Sequence, residues 1–226
     1  MYKRQLPSGD ISVEAARKVI AAMMAISILS ILGSMSVAIE FSGGLEDWYP
    51  ALFIWITALF LLVNYESSGG YSLRLKDRGL PGNIAISLSV GMVVLFGAAG
   101  VFEPFSERAW AMFFVGVLYN LAREIVKDIE DMEGDEGRNT YVMRVGPQRA
   151  RTVAWALLIL TLLSILLPFG IGIFPELHLI VVIPSVVLLL MVKPKLMTGE
   201  DRAAQMLIKR SMYLALAAFL TSSLMT

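Results

Sequence analysis

Glu124, Asp128, Asp131 and Asp135 follow one another at steps of four, three and four residues along a stretch that also contains Glu130, Glu133 and Glu136. On a helix this spacing projects the four carboxylates from a single face, and Asn120 continues the stripe towards the apolar interior. Carboxylates are hard oxygen ligands. A surface of this kind suits Mg²⁺, which is commonly held by one or two protein carboxylates together with substrate phosphates and water. The competing reading is a solvated acidic helix end, which opposes the helix dipole at a cost of about 0.3–1 kcal/mol per charge. Arg123 and Lys127 lie in the same stretch. They suit a phosphate, or equally well a pair of basic side chains reaching for the membrane surface.

A second group sits upstream. Residues 66–82, ESSGGYSLRLKDRGLPG, combine four glycines with Arg74, Lys76, Arg78 and Tyr71, and Asn83 follows directly. Flexible backbone and cations can fold over a multiply charged anion, although a basic loop also serves simply to orient a membrane protein. Near the start, RQLPSGDIS places Arg4 before a Pro-Ser-Gly turn, with Asp10 or Ser12 available to cap the next helix. The basic residues between 193 and 210 read as orientation charge.

These groups need elements to carry them, and the composition says which. Of 226 residues 57% are hydrophobic and the mean hydropathy is +0.69, far above what a soluble domain requires. Apolar segments fall at roughly 14–40, 48–65, 83–102, 107–130, 148–170, 177–193 and 204–224, each near membrane-crossing length. The expectation is an all-α polytopic bundle of about seven transmembrane helices, in one domain spanning residues 1–226. Small residues such as Gly97, Ala98 and Gly100 are expected at close helix contacts. The connections 41–47, 103–106 and 171–176 are short, whereas 66–82, 131–147 and 194–203 are longer and polar. All 19 Lys and Arg residues except Arg108 lie in the N-terminal segment, the longer loops or the helix ends beside them. The positive-inside rule puts that end in the cytoplasm, in a multi-pass protein of the cell membrane. The first residues lack the apolar core of a signal peptide. The absence of Cys removes disulfides, thiolate zinc and a cysteine nucleophile, and a single His178 removes histidine-rich metal sites. Charges balance and no basic run is interleaved with aromatics, so no nucleic-acid partner is expected.

In order along the chain, RQLPSGDIS, YSLRLKDRGLPGNIAIS and NLAREIVKDIEDMEGDEGRNT resemble three successive cytoplasmic motifs of the UbiA family of intramembrane prenyltransferases, in particular its archaeal digeranylgeranylglyceryl phosphate synthase branch. The resemblance covers essentially the whole chain. It implies a helical bundle in which Mg²⁺ binds a polyprenyl diphosphate between two aspartate-rich motifs, with Asp128, Asp131 and Asp135 in the second. It further implies Arg74 and Lys76 near the diphosphate, Tyr71 and Asn83 near the reacting end, and Arg4 in the loop after the first motif. Asn120, Arg123 and Lys127 join the substrate-binding set, and Glu124 is the candidate to take a proton from the acceptor. The first aspartate motif and its two flanking helices have no counterpart, since residue 1 matches the middle of a family loop, and the expectation is an N-terminally truncated domain.

The activity this implies is transfer of a geranylgeranyl group from its diphosphate to the hydroxyl of geranylgeranylglyceryl phosphate, in a membrane-lipid environment and without an obligate protein partner. Rival readings are a quinone or chlorophyll-type acceptor in the same family, a transporter, and a non-catalytic membrane scaffold. Against transport, the charges gather at one surface rather than at mid-membrane.

Overall fold

Apolar segments with no water to satisfy their backbone must close every hydrogen bond internally. The computed structural model of the chain describes residues 11–42, 45–66, 72–132 and 139–225, and none of these is a strand. The elements are α1 (Val13–Ser42), α2 (Tyr49–Glu66), α3 (Leu80–Gly100), α4 (Glu107–Asp131), the short α5 (Tyr141–Val145), α6 (Pro147–Gly170), α7 (Leu179–Leu190), α8 (Val192–Thr198) and α9 (Asp201–Leu224). Two 3₁₀ turns, Leu75–Arg78 and Glu176–His178, lead into α3 and α7.

All seven apolar segments are helical, α7 and α8 together forming one of them. Among the described residues five helices are long and apolar enough to cross a membrane, and Tyr49–Tyr65 is a shorter apolar helix. In α9 the polar first turns and the Lys209–Arg210 pair dilute the hydropathy. The 194–203 loop is a correction, because helix continues to Thr198 and only the Gly199 corner is left before α9. Pro194 explains the interruption at Met191: it offers no N–H to the carbonyl of Leu190 and crowds it. At the corner, Lys195 and Thr198 bond the Glu200 carboxylate at 2.8 and 2.9 Å. Lys195, and then Thr198, hold that carboxyl below its ordinary range. Of the two expected caps for α1, Ser12 is in place, its Oγ accepting from Ala15 N–H at 3.1 Å, while Asp10 lies outside the described residues.

The hub of the bundle is α4, which packs along α3, α6 and α9. Tyr119, Ala122, Ile125, Val126 and Ile129 on α4 join Ala150, Ala154, Leu158 and Ile165 of α6, Val182 and Leu189 of α7, and Ala204, Ile208 and Phe219 of α9 in one buried cluster. Alanines at these contacts let backbones approach, the usual route to tight packing where lipid supplies no hydrophobic drive. Between α3 and α4 a close approach falls at Gly91, where a Cβ would stand 2.5 Å from Val117 Cγ2 and 2.9 Å from the Phe113 ring. Gly97 and Gly100, expected at such contacts, face open space instead. Outward-facing Phe53, Val93, Leu163, Ile180 and Leu220 make the apolar outer surface that lipid requires. On the periphery α1 is held mainly by Ile31 and Ala38 against Trp48, Ala51 and Ala99, and by a 3.1 Å bond from Trp55 Nε1–H to Ser27 Oγ.

Candidate active site

The antiparallel run of α3 against α4 brings the start of one beside the end of the other, and a buried polar seam lies between them. Asn83 Nδ2 donates to Asp128 Oδ2 at 3.0 Å, Ser87 Oγ donates to the Asn83 carbonyl at 2.6 Å, and Asn120 Nδ2 donates to Ser87 Oγ at 3.3 Å. Asn83, Ser87 and Asn120 are 6%, 0% and 5% exposed, so this seam is closed to solvent except at its Asp128 end. Asn83 and Asp128 are 45 residues apart in sequence, and their contact joins the second and third of the sequence motifs.

One turn inside Asp128, the buried Glu124 is bracketed by its own helix, with Arg123 Nη1 at 3.0 Å from Oε1 and Lys127 Nζ at 3.1 Å from Oε2. Arg123 Nε is buried without a hydrogen-bond partner, the one such side-chain nitrogen or oxygen among the described residues. An orphan guanidinium N–H beside a carboxylate ladder is a donor that an anionic oxygen would satisfy. Asp131, half-buried, ends the helix.

The loop cations lie on the 3₁₀ turn before α3. Arg74 has φ +47°, and its Nε approaches Asp77 Oδ2 at 3.4 Å; Lys76 Nζ stands 5.7 Å from the centre of the Tyr65 ring. The turn is pressed against the start of α3, because a Cβ at Gly82 would come within 2.4 Å of the Leu75 carbonyl oxygen. Glycine is needed there for that approach.

Of the twelve sequence-selected residues, Asn83, Asn120 and Asp128 bond across the α3–α4 seam, Arg123, Glu124 and Lys127 pair with one another on α4, Asp131 lies beyond, and Arg74 and Lys76 stand at the adjoining turn. Arg4, Tyr71 and Asp135 fall outside the described residues, as do Glu133 and Glu136. Among the described residues no three His, Cys, Asp or Glu side chains gather as a metal cage. Asp128 and Asp131, three apart at a helix end, fit the Mg²⁺ habit of taking one or two carboxylates and leaving its other positions to phosphate and water.

Sequence reasoning missed three groups. Ser87 was detectable as the residue one turn after Asn83. Asn64, whose Oδ1 accepts from Leu73 N–H at 3.1 Å, is a lone amide near the end of an apolar run. The third is the pair in which Arg151 Nε and Nη2 donate to Asp201 Oδ1 and Oδ2 at 2.8 and 2.6 Å, fifty residues apart. Arg151 and Asp201 border a hollow of about 680 Å³ on the far side of α4, shared with Ile129, Glu130, Met132 and Arg202. An apolar groove of about 440 Å³ lies at the other end, between α4 and α6. The Asn83–Asp128 pair borders neither hollow; side-chain pairing closes its seam.

The model of the UbiA prenyltransferase family matches residues 2–217. The chain is 30% identical over 225 residues to digeranylgeranylglyceryl phosphate synthase of Halobacterium salinarum strain R1, covering 99% of this chain and 74% of that protein. It is 33% identical over 195 residues to the synthase of Thermococcus kodakarensis, covering 84% of this chain and 68% of the relative. The Methanopyrus kandleri synthase is 32% identical over 225 residues, with 98% and 75% covered. A solved structure concerned with digeranylgeranylglyceryl phosphate synthase in membranes superimposes with a TM-score of 0.67 at 30% identity, covering 99% of this chain and 75% of that one. Since the family match runs from beyond one end of the α3–α4 seam to beyond the other and takes in every described helix from α1 to most of α9, the chain belongs to the UbiA prenyltransferase family, as an integral membrane protein.

Proposed function

We propose that this chain transfers a geranylgeranyl group from geranylgeranyl diphosphate to the free hydroxyl of geranylgeranylglyceryl phosphate, forming an ether bond and releasing diphosphate. The Asn83–Asp128 contact carries the reading, because in it an amide and a carboxylate from two of the family-like motifs meet. The names of the relatives supply the substrate pair.

Breaking the allylic C–O bond leaves negative charge on the departing diphosphate, and cations fixed nearby lower that barrier. Arg123 has a donor to spare; Lys127 follows on the same helix, Arg74 and Lys76 stand at the turn that leads into α3, and Tyr71 and Arg4 complete the set by family similarity. Asp128 and Asp131, with Asp135 by the same similarity, would hold Mg²⁺, which when bound supplies Lewis-acid neutralisation of the diphosphate oxygens. Asn83 keeps the Asp128 carboxylate oriented. Asn120 and Ser87 fill the seam beneath, keeping water from the carbon on which positive charge develops. Glu124 is the residue assigned to the acceptor proton: its oxygens are already engaged by Arg123 and Lys127, so a phosphate drawing either cation away would free one of them. The 226 residues act as one domain, with these motifs at the cytoplasmic face.

The test is incubation of membranes with labelled geranylgeranyl diphosphate, the prenylglyceryl phosphate acceptor and Mg²⁺, followed by lipid extraction. It is run on the chain alone and on the chain joined to the segment of the Halobacterium relative that lies outside the match. A labelled diether product that needs Mg²⁺, and that falls at least about 100-fold with Asp128→Ala or Asp131→Ala, is expected. No product from either form overturns the proposal.

A further inference from the structure

We propose that Asn64 is a positioning residue for the diphosphate donor, a clamp from α2 that fixes where the basic turn stands above the Asn83–Asp128 pair. The inference rests on the prenyl-transfer reading of that site.

Asn64 is 9% exposed near the end of α2, and its side chain works in two directions. Its Nδ2 donates to the Phe60 carbonyl at 2.9 Å, which locks the rotamer, and its Oδ1 accepts from Leu73 N–H at 3.1 Å, which captures a backbone beyond the end of the helix. The captured residue immediately precedes Arg74, a non-glycine at φ +47°. A non-glycine side chain in that left-handed region is strained and persists only where neighbours impose it.

Leu73 is tied to Asn64, the Arg74 N–H donates to Ser72 Oγ at 3.2 Å, and the Asp77 N–H donates to the Arg74 carbonyl at 3.0 Å. Lys76 rests on Tyr65, the residue next to Asn64. Downstream, the Leu75 carbonyl lies against Gly82, and Gly82 precedes Asn83. The path from the Asn64 amide to the Asp128 carboxylate is therefore a short series of fixed steps, and the two cations ride on it. Without the clamp, Leu73 keeps its chain connection but loses its anchor, and the Arg74 conformation loses one of the bonds that hold it. Asn64 touches no reacting atom; its effect passes through the turn.

The test uses Asn64→Leu, close in size without hydrogen bonding, and Asn64→Asp, which retains an oxygen for Leu73 N–H. Asn64→Leu is expected to raise the KM for geranylgeranyl diphosphate about tenfold while leaving kcat and the acceptor KM within about threefold, as loss of ground-state positioning of one substrate does. Asn64→Asp recovers most of that loss. In parallel, the chain's lack of Cys allows a single spin label at Arg78→Cys on the turn. Its motion increases with Asn64→Leu and returns towards the parent value with Asn64→Asp. Unchanged label motion in Asn64→Leu, or an equal rise in both KM values, overturns the clamp. The label reports on the turn whether or not the protein transfers prenyl groups, so failure of the proposed activity and failure of this inference are told apart.

Discussion

Glu124 shows how one side chain can have two duties that a single substitution separates. It is buried, its oxygens are divided between Arg123 and Lys127, and it is the group assigned to the acceptor proton. Glu124→Gln keeps the volume and one oxygen, so the detergent-solubilised protein should melt within a few degrees of the parent, whereas kcat should fall about 10²–10⁴-fold, the usual worth of a positioned acid or base. An unchanged kcat would leave Glu124 only its structural duty. The Arg151–Asp201 pair predicts the reverse pattern. With side chains 20% and 12% exposed and two short bonds, losing the arginine strands a carboxylate, and Arg151→Leu should cost about 2–3 kcal/mol. Thermal melting checks this, with the apolar double replacement Arg151→Leu with Asp201→Leu expected to recover part of the loss. From sequence alone Arg123 and Lys127 suit a phosphate or the membrane surface, although their pairing with Glu124 is local, between neighbours on one helix where spacing determines contact. Arg151 and Asp201 are joined only by the packing of α6 against the α8–α9 corner, and no local spacing reveals that. Asn64 was obscured in another way, as its partner is a backbone N–H, which every residue but proline owns.

At the scale of elements, the seam depends on how closely α3 and α4 approach. Gly91 sits at that approach, and a methyl there would overlap Val117 and Phe113, side chains held in the packed seam. Gly91→Ala should destabilise by about 1–3 kcal/mol through overpacking and, by pushing the helices apart, loosen the Asn83–Asp128 contact two turns away. Gly97→Ala on the same helix meets nothing within 4 Å and should gain up to about 1 kcal/mol from helix propensity. Measured side by side, melting temperatures should move in opposite directions; a parallel shift would refute the packing argument. On the opposite side of α4, Ser211 donates to the Ser185 carbonyl at 2.6 Å, which leaves Tyr119 to donate to Ser211 Oγ at 2.7 Å. This network pins α4 to α7 and α9. Tyr119→Phe removes one donor and should cost about 0.6–1.7 kcal/mol, the range for such bonds inside membranes. The helices themselves were readable from apolar run length, because lipid leaves the backbone no other choice. Which glycine is close packed was not, since Gly91 and Gly97 sit in equally apolar surroundings and differ only in what stands opposite.

For the molecule as a whole, the antiparallel helices put the α3–α4 seam, the basic turn and the α8–α9 corner at one end, and the connections at 103–106 and 171–176 at the other. The seven apolar segments were readable as helices, and among the described residues five helices are long and apolar enough to cross a membrane; the break at Met191 needed Pro194 to be weighed against an otherwise continuous apolar run. By the positive-inside rule the Lys and Arg asymmetry predicts that this end faces the cytoplasm, the side from which the proposed reaction needs a cytoplasmic diphosphate to reach Asp128. This is testable without any assay of transfer, since the chain has no cysteine of its own. Single replacements at Arg149, exposed at the start of α6, and at Glu103, exposed in the short connection before α4, sample the two ends. In intact cells a membrane-impermeant maleimide should label Glu103→Cys and spare Arg149→Cys until the membrane is opened. The opposite pattern would put the carboxylates on the outer face, away from any cytoplasmic pool of prenyl diphosphate, and the proposed reaction could not run in that orientation however well the seam is formed.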